Sequence, residues 1–219
     1  MKQNYTIIGA IFLMILAFLM AAYLYNSQQA DTQTQLATQN ADALSKPYSP
    51  RKGNPAAKVT IVEFLDPACE TCRQFHPLVK ELLATYRGKV NLVIRYAPLH
   101  PGSDHMVKIL EAAKKQGKFW EVLDLMFETQ SHWASHHQPK PEVFWTYLER
   151  FGFDVAQLRE DVNSPEIAKI IQQDIADGQR LGATKTPTFF VNGKPLSRFG
   201  YEQLKNLVAS EVNAYYPGS

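Results

Sequence analysis

The stretch Lys58-Val-Thr-Ile-Val-Glu-Phe-Leu65, followed four residues later by Cys69-Glu-Thr-Cys72 and an amphipathic run to Gly88, decides the fold. Lys58 to Leu65 is dense in β-branched residues and bounded by Pro55 and Pro67, which marks a buried strand. From Cys69 to Arg87 the apolar positions Cys72, Phe75, Val79, Leu82, Leu83 and Tyr86 recur at three- and four-residue steps. A helix therefore follows the strand at once, and Gly88 stops it. Lys89-Val-Asn-Leu-Val-Ile-Arg-Tyr96 then alternates as a second strand. The unit is β-α-β, with both cysteines at the strand-to-helix turn.

Downstream, Ser103 to about Leu181 is helical only. Met106, Ile109, Leu110 and Ala113 form one apolar stripe, and Phe119, Val122, Leu123, Met126 and Phe127 the next; later stripes run through Val143 to Leu148 and Ile167 to Ile175. Ser164-Pro165-Glu166 is a helix start, a cap residue followed by proline at the first position. The sheet resumes with Thr188-Phe-Phe-Val191 and Lys194-Pro-Leu196, joined by the hairpin signal Asn192-Gly193. Tyr201 to Tyr215 is a closing amphipathic helix through Leu204, Leu207, Val208 and Val212. The order is β-α-β, a helical insert over 101–181, then β-β-α.

Upstream, no charged side chain stands between Lys2 and Asp31, and Tyr5 to Tyr25 is almost wholly apolar. As a helix that stretch is about 31 Å long, enough to span a bilayer. The bulky residues of Leu19-Met-Ala-Ala-Tyr-Leu24 disfavour a cleaved signal, so residues 1–25 read as a transmembrane anchor or signal-anchor. Lys2 on the near flank, with no Lys or Arg until Lys46 on the far one, places the N-terminus in the cytoplasm and the rest outside it. Residues 26–55, rich in Gln, Thr, Asn and Ala and then in Pro, read as a polar tether with a reach of about 30 Å.

The chain has 219 residues with 23 Lys+Arg against 21 Asp+Glu, the signs interspersed, so no basic stripe offers itself to nucleic acid. Two cysteines alone leave no framework of structural disulfides and no four-thiolate metal site. Cys69 at a helix start has its thiolate favoured by unpaired N–H groups and the macrodipole, and is the candidate nucleophile. Cys72, one turn further in, is the candidate resolving thiol. His132, His136 and His137 lie about sixty residues from the pair, too far for a zinc finger, and read as a solvated loop near Trp133. Trp120, Trp133 and Trp145 fit either core positions or a groove for unfolded chains.

The string Val62-Glu-Phe-Leu-Asp-Pro-Ala-Cys-Glu-Thr-Cys72, with Lys185-Thr-Pro-Thr-Phe-Phe-Val-Asn-Gly193 about 115 residues later, resembles the DsbA-like thiol:disulfide oxidoreductases of the thioredoxin superfamily. The resemblance covers roughly residues 56 to 216. It implies an α/β thioredoxin-like domain over 56–100 and 182–219, interrupted by the helical insert and preceded by one transmembrane helix. By position it makes Thr186-Pro187 the cis-proline loop that contacts bound substrate, and Pro77 the proline within the active-site helix. It also makes Glu63 the buried acid beneath the cysteines, able to exchange a proton with Cys72; on the residues alone, Glu63 could instead face solvent on a one-sided strand.

The resemblance further implies a monomer without cofactor or metal, anchored in a bacterial inner membrane and facing the periplasm or cell exterior. Its substrates would be unfolded or partly folded exported proteins. A disulfide donor would be reoxidised by a quinone-linked membrane partner; a reductase or isomerase would be kept reduced by an electron-donating one. A non-catalytic binding or metal-chaperone role is the remaining reading. One departure bears on direction: strongly oxidising relatives carry histidine between the cysteines, whereas Glu70 would repel the neighbouring thiolate and temper the oxidising power.

Overall fold

The computed structural model describes residues 2–135 and 138–218. It opens on a long helix, α1 (Lys2–Gln39), and one further helical turn, α2 (Ala41–Leu44). Then come β1 (Arg51–Gly53), β2 (Val59–Leu65), α3 (Glu70–Thr85) and β3 (Val90–Tyr96). Five helices follow: α4 (Ser103–Lys115), α5 (Phe119–Trp133), α6 (Pro141–Arg150), α7 (Val155–Asp161) and α8 (Pro165–Arg180). The chain closes with β4 (Thr188–Val191), β5 (Lys194–Pro195) and α9 (Tyr201–Tyr215). This is a thioredoxin-like α/β fold, its sheet ordered β1-β3-β2-β4-β5 with β2 and β3 parallel and the other neighbours antiparallel.

Strand alternation gives the sheet two buried faces. Ile61, Leu65, Leu92, Ile94, Phe189 and Val191 join Phe75, Val79 and Leu82 of α3 and Leu204, Val208 and Val212 of α9 in one core. Val62, Phe64, Val93 and Phe190 belong to a second, with Ala37 of α1, Ala43 of α2 and Leu181 and Ala183 beyond α8. The β4–β5 hairpin turns at Asn192 (φ 50°) and Gly193 (φ 80°), the two positive φ values that a two-residue turn matched to strand twist requires. It places β4 beside β2, which carries Glu63 toward the cysteines.

The segment 26–55 is not a loose tether. The helix begun in the apolar stretch continues without a break to Gln39, because Gln, Ala and Thr propagate a helix already nucleated. Ala30, Gln33, Leu36, Ala37 and Asn40, at three- and four-residue steps, are the less exposed face of that continuation. Gln33 Nε2 donates to the Gly182 carbonyl at 3.4 Å, and Arg180 reaches Asn40 Oδ1 at 3.0 Å and Asp42 at 3.1 Å. Beyond it, Arg51–Gly53 pairs with Asn91–Val93 as an edge strand. Composition concealed this docking, since the contacts lie some 140 residues away in sequence.

The join between this segment and the sheet is ionic and buried. Arg95, wholly buried on β3, places Nη2 at 2.7 Å from both Asp174 Oδ1 and Asp177 Oδ2 of α8, and Nη1 donates to the Ala43 carbonyl. Tyr48 Oη donates to Asp174 at 2.7 Å. Burial and the hydrogen bond to Asp174 push the Tyr48 hydroxyl well above its usual pKa.

Upstream of the docked part, Phe12, Leu16, Leu19 and Met20 stand exposed, and α1 is long and apolar enough to cross a membrane. In the insert, Trp133 and Trp145 are buried among Met106, Leu110, Met126, Phe144 and Leu148, and Trp120 is half-buried. These tryptophans build core rather than a groove. Tyr147 Oη lies 2.6 Å from His132 Nδ1 and the two rings stack. The sequence places His132 in a solvated loop; it stands instead, exposed, in the last turn of α5, and His136 and His137 lie outside the described residues.

Candidate active site

Cys69 is the N-cap of α3. The Cys72 N–H donates to Cys69 Sγ at 3.5 Å, as side chains at this position do for the open donors of a helix start. The Cys69 thiol donates to the Thr186 carbonyl at 3.2 Å, which brings the loop of Pro187 over the sulfur. The Thr186-Pro187 peptide is cis. Cys72 is fully buried at the first turn of α3, and both thiols are free. The residues expected from the sequence, Cys69, Cys72, Glu63, Thr186 and Pro187, thus meet around one turn of helix; Pro77 lies within α3, two turns on.

The two thiols are driven apart. Hydrogen bonding from the Cys72 side chain, then from the Thr186 side chain and the backbone amides of Cys72 and Thr71, outweighs burial and lowers Cys69 to a pKa of about 5. Burial, then the hydrogen bond to Cys69, raises Cys72 well above its usual value. Glu63 is 1% exposed, so its side chain is interior and not on a solvent face. Desolvation, with the Cys69 charge second, raises its pKa to about 8, and Oε1 has no hydrogen-bond partner among the described residues.

Two further residues hold the loop and were not singled out in the sequence. Asp66 Oδ1 accepts from the Ala68 N–H at 2.8 Å, while Oδ2 accepts from the N–H groups of Leu99 and His100 at 2.8 and 3.0 Å and from Ser103 Oγ at 3.1 Å. His100 Nδ1 lies 2.7 Å from the same oxygen. Asp66 therefore ties the approach to Cys69 to the turn after β3; its signal was Asp before Pro, a turn pair. Gln130 of α5 donates through Nε2 to the carbonyls of Pro67 at 2.7 Å and Cys69 at 3.0 Å. Its signal was a polar residue at helical spacing among Met126, Phe127, Trp133 and Ala134 on a buried face.

Beside the sulfur opens a cleft of about 260 Å³, bounded by Thr71, the loop Thr184–Thr188, Leu196, Ser197 and Phe199, and on its far side by Gln29, Ala30 and Gln33 of α1. Phe75 stacks obliquely on Phe199 and Tyr201, with centroids 4.8 and 4.5 Å apart, and both outer rings are substantially exposed. A reactive sulfur, a backbone loop across it and an aromatic rim make a surface that can seat an extended polypeptide and exchange a disulfide with it.

Comparison with known proteins agrees with this fold. The thioredoxin family model matches residues 45–210. A thioredoxin-like oxidoreductase from Silicibacter pomeroyi DSS-3 is 31% identical, with a TM-score of 0.67 over 77% of this chain and 95% of its own. Oxidised BdbD from Bacillus subtilis shares the fold at 22% identity, with a TM-score of 0.68 over 77% of this chain and 95% of its own. The Na(+)/H(+) antiporter NhaA 3 of Salinispora tropica is 34% identical over 167 residues, 75% of this chain and 24% of the antiporter. The chain spans about a quarter of such curated relatives, and the antiporter name describes those proteins as wholes. With the family model covering residues 45–210 and the fold shared with a thioredoxin-like oxidoreductase at 31% identity, this chain belongs to the thioredoxin family, its fold interrupted by a helical insert.

Proposed function

We propose that the protein is a thiol:disulfide oxidoreductase that donates the Cys69-Cys72 disulfide to exported proteins. A substrate thiolate attacks Cys69 Sγ, and the Cys69–Cys72 bond breaks to release the electron pair onto Cys72, which takes up a proton. A second substrate thiolate then attacks the substrate sulfur of the mixed disulfide, and Cys69 leaves as a thiolate. The observation that supports this direction is the split between the thiols. A leaving group with a pKa of about 5 departs readily, and a stabilised reduced form makes the disulfide oxidising. Glu63 exchanges the proton with Cys72, and the Thr186-Pro187 loop lies along the substrate backbone.

In this reading α1 anchors the protein in a bacterial inner membrane, with the N-terminus in the cytoplasm and the catalytic domain, as a monomer, facing the periplasm or cell exterior. A quinone-linked membrane protein reoxidises the pair. The test is the equilibrium reduction potential of Cys69-Cys72 against glutathione. A value more positive than about −180 mV is expected of a donor; about −250 mV or below would make the protein a reductase or isomerase fed by a membrane electron carrier.

A further inference from the structure

The cleft beside Cys69 is completed by the same helix that carries the apolar span. Gln29, Ala30 and Gln33 of α1 form its wall opposite Thr186 and Pro187. A second groove of about 340 Å³ continues from it along α1 past Gln28 and Thr32 to Tyr25, and the two share Gln29, Gln33 and Gly182. Tyr25 ends the apolar stretch. At ~1.5 Å per residue, Gln29 and Gln33 stand about 6 and 12 Å along the helix from Tyr25, and any tilt brings them nearer the bilayer. The docked end of the helix is fixed by the buried Ala37, by Gln33 on the Gly182 carbonyl and by Arg180 on Asn40 and Asp42. No slack lies between the span and the site, because the helix is continuous from Lys2 to Gln39.

We propose that residues 25–36 of α1 form a rigid stem that walls the exchange cleft and sets its height, so that the site selects cysteines which integral membrane proteins carry close to the bilayer surface. This rests on the membrane-anchored thiol-exchange reading above. The occupant follows from the groove: it leads from the Thr186-Pro187 loop over the sulfur along the stem toward the membrane end, where a segment leaving the bilayer would enter. A flexible linker of thirty residues would instead let the domain sample tens of ångströms and show no such choice.

The test uses the full chain carrying Cys72→Ser, in vesicles of phosphatidylethanolamine and phosphatidylglycerol. The probes are synthetic single-span helices bearing one cysteine as its thionitrobenzoate mixed disulfide, either about 8 Å or about 30 Å above the interface. The Cys69 thiolate attacks the probe sulfur, the probe-to-thionitrobenzoate bond breaks, and thionitrobenzoate anion is released and counted. The near probe is expected to react at least about tenfold faster. Inserting seven helix-forming residues after Asn26 keeps nearly the same face but lifts the cleft by about 10 Å, and should cut that preference at least about fivefold. Ala30→Trp, which fills the wall, should slow the near probe.

Equal rates for the two probes, or a preference unmoved by the insertion, would overturn the stem's role while a small soluble disulfide still reacts. Failure with the soluble disulfide as well would overturn the exchange reading beneath it.

Discussion

The side-chain amide of Gln130, in the helical insert, donates to the backbone carbonyl of Cys69 at 3.0 Å. A second N–H of the same amide goes to the carbonyl of Pro67 at 2.7 Å, so one buried side chain from α5 fixes both ends of the turn that presents the nucleophile. Gln130→Leu keeps the volume, takes the side-chain donor from the Pro67 carbonyl and leaves the Cys69 carbonyl with the Arg73 N–H alone. A loss of about 2 kcal/mol is expected in urea unfolding. Gln130→Glu removes the donors and adds a negative charge beside the sulfur, so the Cys69 pKa, followed by thiolate absorbance, should rise. If neither variant changes stability or the thiolate titration, the insert does not hold the loop.

The pH dependence of stability should separate the two redox forms. Cys69 has its pKa lowered from 9.0 to about 5 in the folded dithiol form, whereas the disulfide form has no thiol to titrate. A lowered pKa contributes stability that is complete above the unfolded value and lost as pH falls through the folded one. The dithiol form should gain on the disulfide form between about pH 5 and 9, by on the order of 2–4 kcal/mol with solvent screening at the cleft mouth. Thermal unfolding of both forms at several pH values checks this. A difference in Tm that stays flat over that range would remove the thiolate as the source of oxidising power.

Glu63 should move the proton of Cys72. Its pKa of about 8 leaves it largely protonated at neutral pH, so its base form grows as pH rises through that value. Attack by Cys72 on a trapped mixed disulfide should accelerate over the same range, and Glu63→Gln should slow it by roughly tenfold to a hundredfold and flatten the profile. The sign for stability runs the other way. A carboxyl whose pKa is raised from 4.5 favours folding fully only below that value, and the contribution is lost as pH rises toward about 8. The wild type should therefore lose ground to Glu63→Gln across this interval, even as it outpaces it in resolution. Stopped-flow resolution rates and urea midpoints at matched pH test both halves.

Glu70 follows Cys69 directly and is exposed on the first turn of α3. Its charge opposes the thiolate that the helix start and Thr186 favour, so replacing it should strengthen oxidation. Glu70→His is expected to shift the reduction potential positively by about 10–30 mV and to lower the Cys69 pKa. A negative shift in the glutathione titration would show that Glu70 aids the thiolate instead.

Much of this site was legible in the chain because its chemistry is local. A cysteine pair at a strand-to-helix turn, an acid inside an apolar strand and a proline before Thr188-Phe-Phe-Val191 each break a pattern that secondary structure would otherwise complete. Gln130 and Asp66 stood out only as a polar residue on an apolar face and an Asp before Pro, because most of their partners are backbone carbonyls and amides far off in sequence, which mark no site. The stem was misread for a related reason. Asn26 to Leu44 has the composition of a linker, and it is Gly182, Arg180 and strand β5, all distant in sequence, that give its helix something to pack on.

The same distance in sequence makes Arg95 the most exposed point of failure for the stem. Its guanidinium is fully buried, held by Asp174 and Asp177 on α8, and it caps the Ala43 carbonyl where α2 ends. Removing one member leaves an uncompensated buried charge, which costs about 3–5 kcal/mol, whereas replacing the group together preserves packing at little cost. Arg95→Met should therefore lower stability severely, because buried Asp174 loses its cation and keeps only the Tyr48 hydroxyl and the Tyr96 N–H, while Asp177 falls back on Arg180 and Lys46. The triple change Arg95→Met, Asp174→Leu, Asp177→Asn should recover much of that loss in urea unfolding but not the hold on Ala43. Hydrogen exchange over residues 37–45 should then be faster in the triple variant than in the wild type, while β2 and α3 stay protected. If exchange in that segment is unchanged, the alanines packed on Val62 and Phe190 are enough to seat the stem, and the buried arginine serves the sheet alone.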